Sequence, residues 1–270
     1  MHGILRVMLF LAVWLAVWLP IAIPMGIWLQ WRPFRATSPS VKIALLMPLY
    51  SLAPGVLWGA MWLGYSTWAD CGVRSLLHLA ISFLGGSAIA IVGLGILLGV
   101  QWGLGWQVPA ADAPVFRDRP TTLTTIAVVL PLAVWIGGIE ELVFRGWVHQ
   151  QLQASLPLAA AIAVGSGIFA IAHLLWDGPQ GWWQQPGLGV LGAVLVLARL
   201  VDGGGLGLPW GLHTGWVFGL AIAGDVFRFA PTAHAPRLWV GRPQQPLTGG
   251  LDFGLLTATG LLLVGFWGWG

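Results

Sequence analysis

Long apolar runs separated by short polar turns make up almost the whole chain. Eight runs stand out, at 4–30, 43–65, 76–101, 121–153, 157–176, 187–201, 207–224 and 252–270. A helix that crosses a bilayer needs about 20 mostly apolar residues. The pattern therefore predicts an all-α fold, a polytopic integral membrane helical bundle of about eight transmembrane helices. The sixth run is short and interrupted by glycine. The breaks between runs have turn chemistry: "WRPFRATSPSVK" after the first, "GLGWQVPAADAPVFRDRP" before the fourth, Leu156-Pro157 after the fourth, and "DGGGLGLP" after the sixth. Thr121 or Thr122 can cap the fourth run. The stretch 225–251 is rich in Pro and Gly and reads as a loop, partly re-entrant, of a length that could gate access to a site. The first run is too long for the apolar core of a signal peptide and has no small-residue cleavage site, so it reads as a first membrane helix. No internal repeat is evident, and residues 1–270 read as one integral membrane domain.

Composition agrees. The chain is 57% hydrophobic and 8% charged, against about 25% charged in soluble domains. Its 19 Trp against two Tyr suit headgroup-level anchors, with Trp182-Trp183 as an example. Its 39 Gly suit close helix packing. The net charge of +3 and pI near 9.8 do not indicate nucleic acid, because the basic residues are scattered over loops and form no face. Membrane lipids are the expected surroundings. Arg32, Arg35, Lys42, Arg117, Arg119, Arg228, Arg237 and Arg242 fall in odd-numbered loops, whereas Arg6, Arg74 and Arg199 fall on the other side. The asymmetry places the odd loops in the cytoplasm and both termini outside. A single cysteine, Cys71, excludes an intrachain disulfide and a Cys-rich metal site.

Candidate chemistry concentrates in "GGIEELVFRGWVHQQL", residues 137–152. A charge at membrane depth costs at least about 2.5 kcal/mol, and such residues usually face a bundle interior or a wet cavity. Glu141 and Arg145 are four apart and can pair on one helix face. Glu140 points about 100° away and addresses another neighbour. His173, with Phe169 one turn before it, and His213 lie in later apolar runs. Measured from the turn at Ser155-Leu156, Glu140 and His173 lie at depths of roughly 23 and 26 Å at about 1.5 Å per residue, so they can stand level on antiparallel neighbours. His213 lies about eight residues after the Gly-rich turn at 203–205 and reads as shallower.

A buried carboxylate and a neutral imidazole can together deprotonate a water, and a second imidazole can stabilise an oxyanion. The set fits a peptide hydrolase without a Ser or Cys nucleophile. Two His and one Glu (Glu140, His173, His213) also match some catalytic zinc sites, although no His-Glu-x-x-His helix is present. Proton or ion translocation uses similar groups, but only one membrane segment here carries carboxylates near its middle.

The order Glu140-Glu141-x-x-x-Arg145, then Phe169-x-x-x-His173, then His213 resembles the CPBP family. This family comprises the CAAX prenyl endopeptidases and bacteriocin-processing or self-immunity proteins, also called ABI. The resemblance covers roughly 121–224, and "GLHTGWVF" and "PLTGG" are similar to a cyanobacterial and plastid-related branch. It implies an intramembrane protease of about eight helices, located in a bacterial cytoplasmic membrane and acting on a membrane-proximal or lipidated peptide. It further implies Glu140 as catalytic base, His173 as its helper in activating water, Glu141 and Arg145 as organisers, and His213 as oxyanion donor. Phe169 and Trp216 would bind substrate or support the site. A metal-free mechanism is the expectation, with zinc as the alternative. One position departs from the family. The third motif usually has Asn or Asp four residues after its His, and Val217 stands there. That departure favours the rival reading of a non-enzymatic membrane scaffold or immunity protein.

Overall fold

The computed structural model describes residues 2–114, 118–243 and 245–267. Arg117, which entered the charge asymmetry, and residues 268–270 of the eighth run lie outside them. Each predicted run becomes helix over its described residues. The helices are α1 (His2–Trp28), α2 (Pro39–Trp62), α3 (Leu76–Gly103), α4 (Arg119–Glu140), α5 (His149–Gln153), α6 (Leu158–Asp177), α7 (Gln185–Val201), α8 (Gly207–Ala221), a short α9 (Arg237–Val240) and α10 (Gly250–Trp267). A π-helical segment, Glu141–Val148, joins α4 to α5, so the fourth run is continuous but is not α-helical throughout. Five stretches are long and apolar enough to cross a membrane: His2–Trp28, Pro39–Trp62, Leu76–Gly103, Arg119–Gln153 and Leu158–Val201, the last uniting α6 and α7. The 15 residues of α8 continue into a second π-helical segment, Ile222–Val226. Many large apolar side chains are exposed, among them Leu76, Leu77, Trp62 and Ile96. Lipid solvates such side chains, and helices satisfy their own backbone polar groups there. The chain is an all-α, multi-pass membrane protein.

The chain divides into two compact units, Met1–Arg74 with Leu142–Val196, and Ser75–Glu141 with Leu197–Gly270. In the first, α1 packs on α2, and tryptophan serves as more than an interface anchor. Trp14 Nε1 donates to the Leu49 carbonyl at 2.8 Å, and Trp18 Nε1 to the Leu45 carbonyl at 3.1 Å. Trp182 and Trp183 are exposed, as anchors should be. The α5 end carries a polar cluster. There Ser66 Oγ donates to Gln150, Gln151 Nε2 donates to the Tyr65 carbonyl, and Arg6 lies over the Tyr65 ring.

In the second unit the glycines of α8 decide the packing. Gly207, Gly211, Gly215 and Gly219 recur every four residues and form one stripe. A Cβ at Gly211 would stand 2.0 Å from the Phe83 carbonyl oxygen, and one at Gly207 2.5 Å from that of Leu79. The stripe meets α3 in parallel register, from Leu79 at Gly207 to Leu94 at Gly219. From the α3 side, a Cβ at Gly86 would meet the Leu208 carbonyl oxygen at 2.3 Å. Small-xxx-small patterns permit such backbone approach.

Asp202 pins the start of α8. Its Oδ2 accepts from the Leu208 amide at 3.1 Å, and its Oδ1 accepts from Ser82 Oγ at 2.6 Å and lies 2.9 Å from His78 Nε2. Asp202→Ala removes a helix cap and two cross-helix partners. We expect it to lower the unfolding free energy by about 1–3 kcal/mol, read from unfolding in detergent.

The stretch 225–251 is not wholly irregular. Ala230–Pro231 pairs antiparallel with Gln107–Val108, Thr232 Oγ1 donates to the Gly105 carbonyl, and Arg228 meets Asp112 at 2.6 Å. The loop is tied to the segment between α3 and α4.

Candidate active site

Glu140 ends α4, and Glu141 opens the π-helical segment. Both carboxylates are buried, and so is His213 on α8. The imidazole stands against both. Its Nδ1 donates to Glu141 Oε1 at 2.6 Å, the short distance of a charge-assisted bond. Its Nε2 lies 3.6 Å from Glu140 Oε2, too long for a hydrogen bond but within strong electrostatic reach. One histidine therefore serves two adjacent acids through its two nitrogens.

The sequence one turn earlier explains how α8 comes so close. A Cβ at Gly138 would meet the Trp210 indole at 2.9 Å, and one at Gly137 the Thr214 hydroxyl at 3.0 Å. Glycines at 137 and 138 leave room for Trp210 and Thr214, and Trp210 Nε1 donates to the Val134 carbonyl at 2.8 Å. His213, between these two anchors in sequence, then reaches the glutamates. The rise-per-residue estimate makes His213 shallower than Glu140, yet the structure puts it alongside both acids. That estimate assumes α8 starts at the same depth as its neighbours, and α8 is instead set by its register on α3.

Thr214 and Trp216 are buried on α8, and Val217 is half-buried. The Thr214 hydroxyl and Trp216 Nε1 have no hydrogen-bond partner among the described residues.

The other predicted residues lie in the first unit. His173 Nδ1 is 2.8 Å from the Phe169 carbonyl. A carbonyl only accepts, so Nδ1 carries the hydrogen and Nε2 is the basic nitrogen of the neutral ring. The Phe169 and His173 rings meet edge to face at 4.7 Å. The Arg145 guanidinium lies 4.2 Å above the Phe169 ring, a cation–π contact worth more once water is removed, and Arg145 is 2% exposed. Phe169 is thus held between a cation and the imidazole it orients. His149, four residues after Arg145, is also fully buried. Sequence reasoning passed over it because "HQQLQ" looks like the solvated end of a helix. The four-residue spacing from Arg145 was the available signal.

Among the described residues, no group of three His, Cys, Asp or Glu side chains has the arrangement to hold a metal ion.

No curated protein and no solved structure matches the chain. Residues 122–219, about a third of the chain, match the family model described as type II CAAX prenyl endopeptidase Rce1-like. That segment runs from the start of α4 to the last glycine of the α8 stripe and contains every candidate residue named above. Over that segment the chain is similar to the type II CAAX prenyl endopeptidases.

Proposed function

We propose that the protein is an intramembrane endopeptidase that hydrolyses a membrane-proximal or lipidated peptide, with Glu140 as the general base. The observation that carries this reading is the contact of one buried imidazole, His213, with both Glu140 and Glu141. A structural ion pair needs one acid. The second acid faces the remaining nitrogen at 3.6 Å, close enough to share a proton with a bound water. In the reaction Glu140 takes a proton from water as the water oxygen bonds to the scissile carbonyl carbon. The carbonyl π pair moves onto oxygen. Collapse of that adduct breaks the C–N bond, and Glu140 returns the proton to the leaving amine. Glu141 holds the His213 ring through Nδ1, so that Nε2 faces Glu140 and the developing oxyanion. Within the first unit the Phe169 carbonyl sets the His173 tautomer, leaving Nε2 as the basic nitrogen of the neutral ring, and Arg145 lies over the Phe169 ring. No step runs through a metal. The setting proposed is a bacterial cytoplasmic membrane.

The test is cleavage of quenched peptides, plain and prenylated, by protein purified in detergent, with and without a chelator. We expect cleavage that Glu140→Gln lowers by roughly 10²–10⁴-fold and that the chelator leaves unchanged. Equal rates in wild type and Glu140→Gln would remove Glu140 from the mechanism. Chelator inhibition reversed by zinc would replace this scheme with a metal one. A well-folded wild type that cleaves nothing would favour a scaffold.

A further inference from the structure

Trp216 is 6% exposed, and its buried indole N–H has no hydrogen-bond partner among the described residues. An indole N–H can only donate, and a buried donor left unpaired is costly. The Thr214 hydroxyl shares this condition, but a threonine in a helix can rotate to the carbonyl one turn back, whereas the indole N–H direction is set by its ring. Trp216 therefore needs a partner that the described residues do not supply.

Its place on α8 says where that partner sits. The glycine stripe of α8 faces α3, while Trp210 and Thr214 face Gly138 and Gly137 of α4. At about 100° per residue, Trp216 points to neither side and lies about 60° from His213, one turn further along. Residues three apart on a helix are neighbours. Trp216 and His213 thus present a shared face with an indole N–H and an imidazole nitrogen on it.

We propose that Trp216 Nε1–H is an oxyanion donor of the peptidase, acting together with His213. This rests on the endopeptidase reading above. When water adds to the scissile carbonyl and its proton passes to Glu140, the carbonyl π pair becomes a full negative charge on oxygen. Trp216 donates to that oxygen, and the bond is strongest in the adduct, where the charge is largest. A donor of this kind raises kcat and leaves KM nearly unchanged.

Trp216→Phe keeps the ring and deletes the donor. It should lower kcat by roughly 10²–10³-fold, the effect of losing one oxyanion donor, with little change in KM. Affinity for a peptide phosphinate, which carries the tetrahedral oxyanion, should fall with kcat. Leu212→Ala, a packing change on the same helix with no donor lost, should leave phosphinate affinity within about threefold of wild type, less than the 1.4 kcal/mol that a factor of ten represents. In the wild type, phosphinate binding should move one indole N–H proton resonance downfield. This last reading stands even if Trp216→Phe does not fold. Unchanged kcat in Trp216→Phe, a fall in kcat without a fall in phosphinate affinity, equal effects from Leu212→Ala, or no shifted indole proton each overturn the assignment. Cleavage that Glu140→Gln abolishes but Trp216→Phe spares overturns this assignment alone. A wild type without any cleavage removes the endopeptidase reading and this donor with it.

Discussion

His213→Ala is expected to abolish peptide cleavage and to destabilise the fold at the same time. The imidazole is the partner of Glu141 at 2.6 Å and the neighbour of Glu140 at 3.6 Å. Its loss strips charge compensation from two buried carboxylates. Removing one member of a buried pair typically costs about 3–5 kcal/mol, and removing a positioned proton-transfer or electrostatic group costs roughly 10²–10⁴-fold in rate. Cleavage rate and detergent unfolding of the same preparation measure both. A double-mutant cycle with Glu141→Gln sharpens the test. If Glu141 acts by holding His213, Glu141→Gln lowers the rate in the wild-type background and adds almost nothing in His213→Ala. A His213→Ala protein with more than a tenth of wild-type activity would sink the role given to this residue, and additive rate losses would separate Glu141 from it.

Gly211→Val is expected to prevent folding. The new Cβ would lie 2.0 Å from the Phe83 carbonyl oxygen and 2.8 Å from the Ser87 amide nitrogen. Both are backbone atoms of α3, so no rotamer change relieves the clash and the helices must part. Parting them exposes the rest of the stripe and withdraws the Asp202 cap from its Ser82 and His78 partners. The cost exceeds the 1–3 kcal/mol of ordinary overpacking, and we expect aggregated or protease-sensitive material in place of a monodisperse peak. Gly95→Ala is the control. It lies on α3 too, but a Cβ there meets nothing within 4 Å, and we expect wild-type elution and unfolding. A folded, monodisperse Gly211→Val would show that the stripe does not hold α3 against α8.

Hydropathy made the helices legible to within a few residues, because a bilayer demands one kind of element with one range of lengths. It did not reveal the π-helical turn at Glu141–Val148, since a shift from four- to five-residue hydrogen bonding leaves the hydropathy of the run unchanged. The candidate site residues were legible as polar anomalies in apolar runs: Glu140, Glu141, Arg145, His173 and His213. Their partners were less so. Spacing directs Glu141 to Arg145 but gives no sign that its carboxylate also bonds an imidazole 72 residues away, because local periodicity carries no information about contacts at that separation. The glycine stripe at 207, 211, 215 and 219 was readable as a four-residue repeat. What it touches was not, because the surface that a glycine leaves open belongs to its neighbour.

The stripe also settles where α8 takes its depth from. α8 runs on into a π-helical segment, Ile222–Val226, and is locked by backbone contact to α3, which at 28 residues is long enough to be gripped by headgroups at both ends. In mechanical terms α8 is a passenger on α3. At Gly207 and Gly211 the stripe meets backbone atoms of α3 directly, so a tilt of α3 toward a thinner or thicker bilayer carries the imidazole of His213 with it.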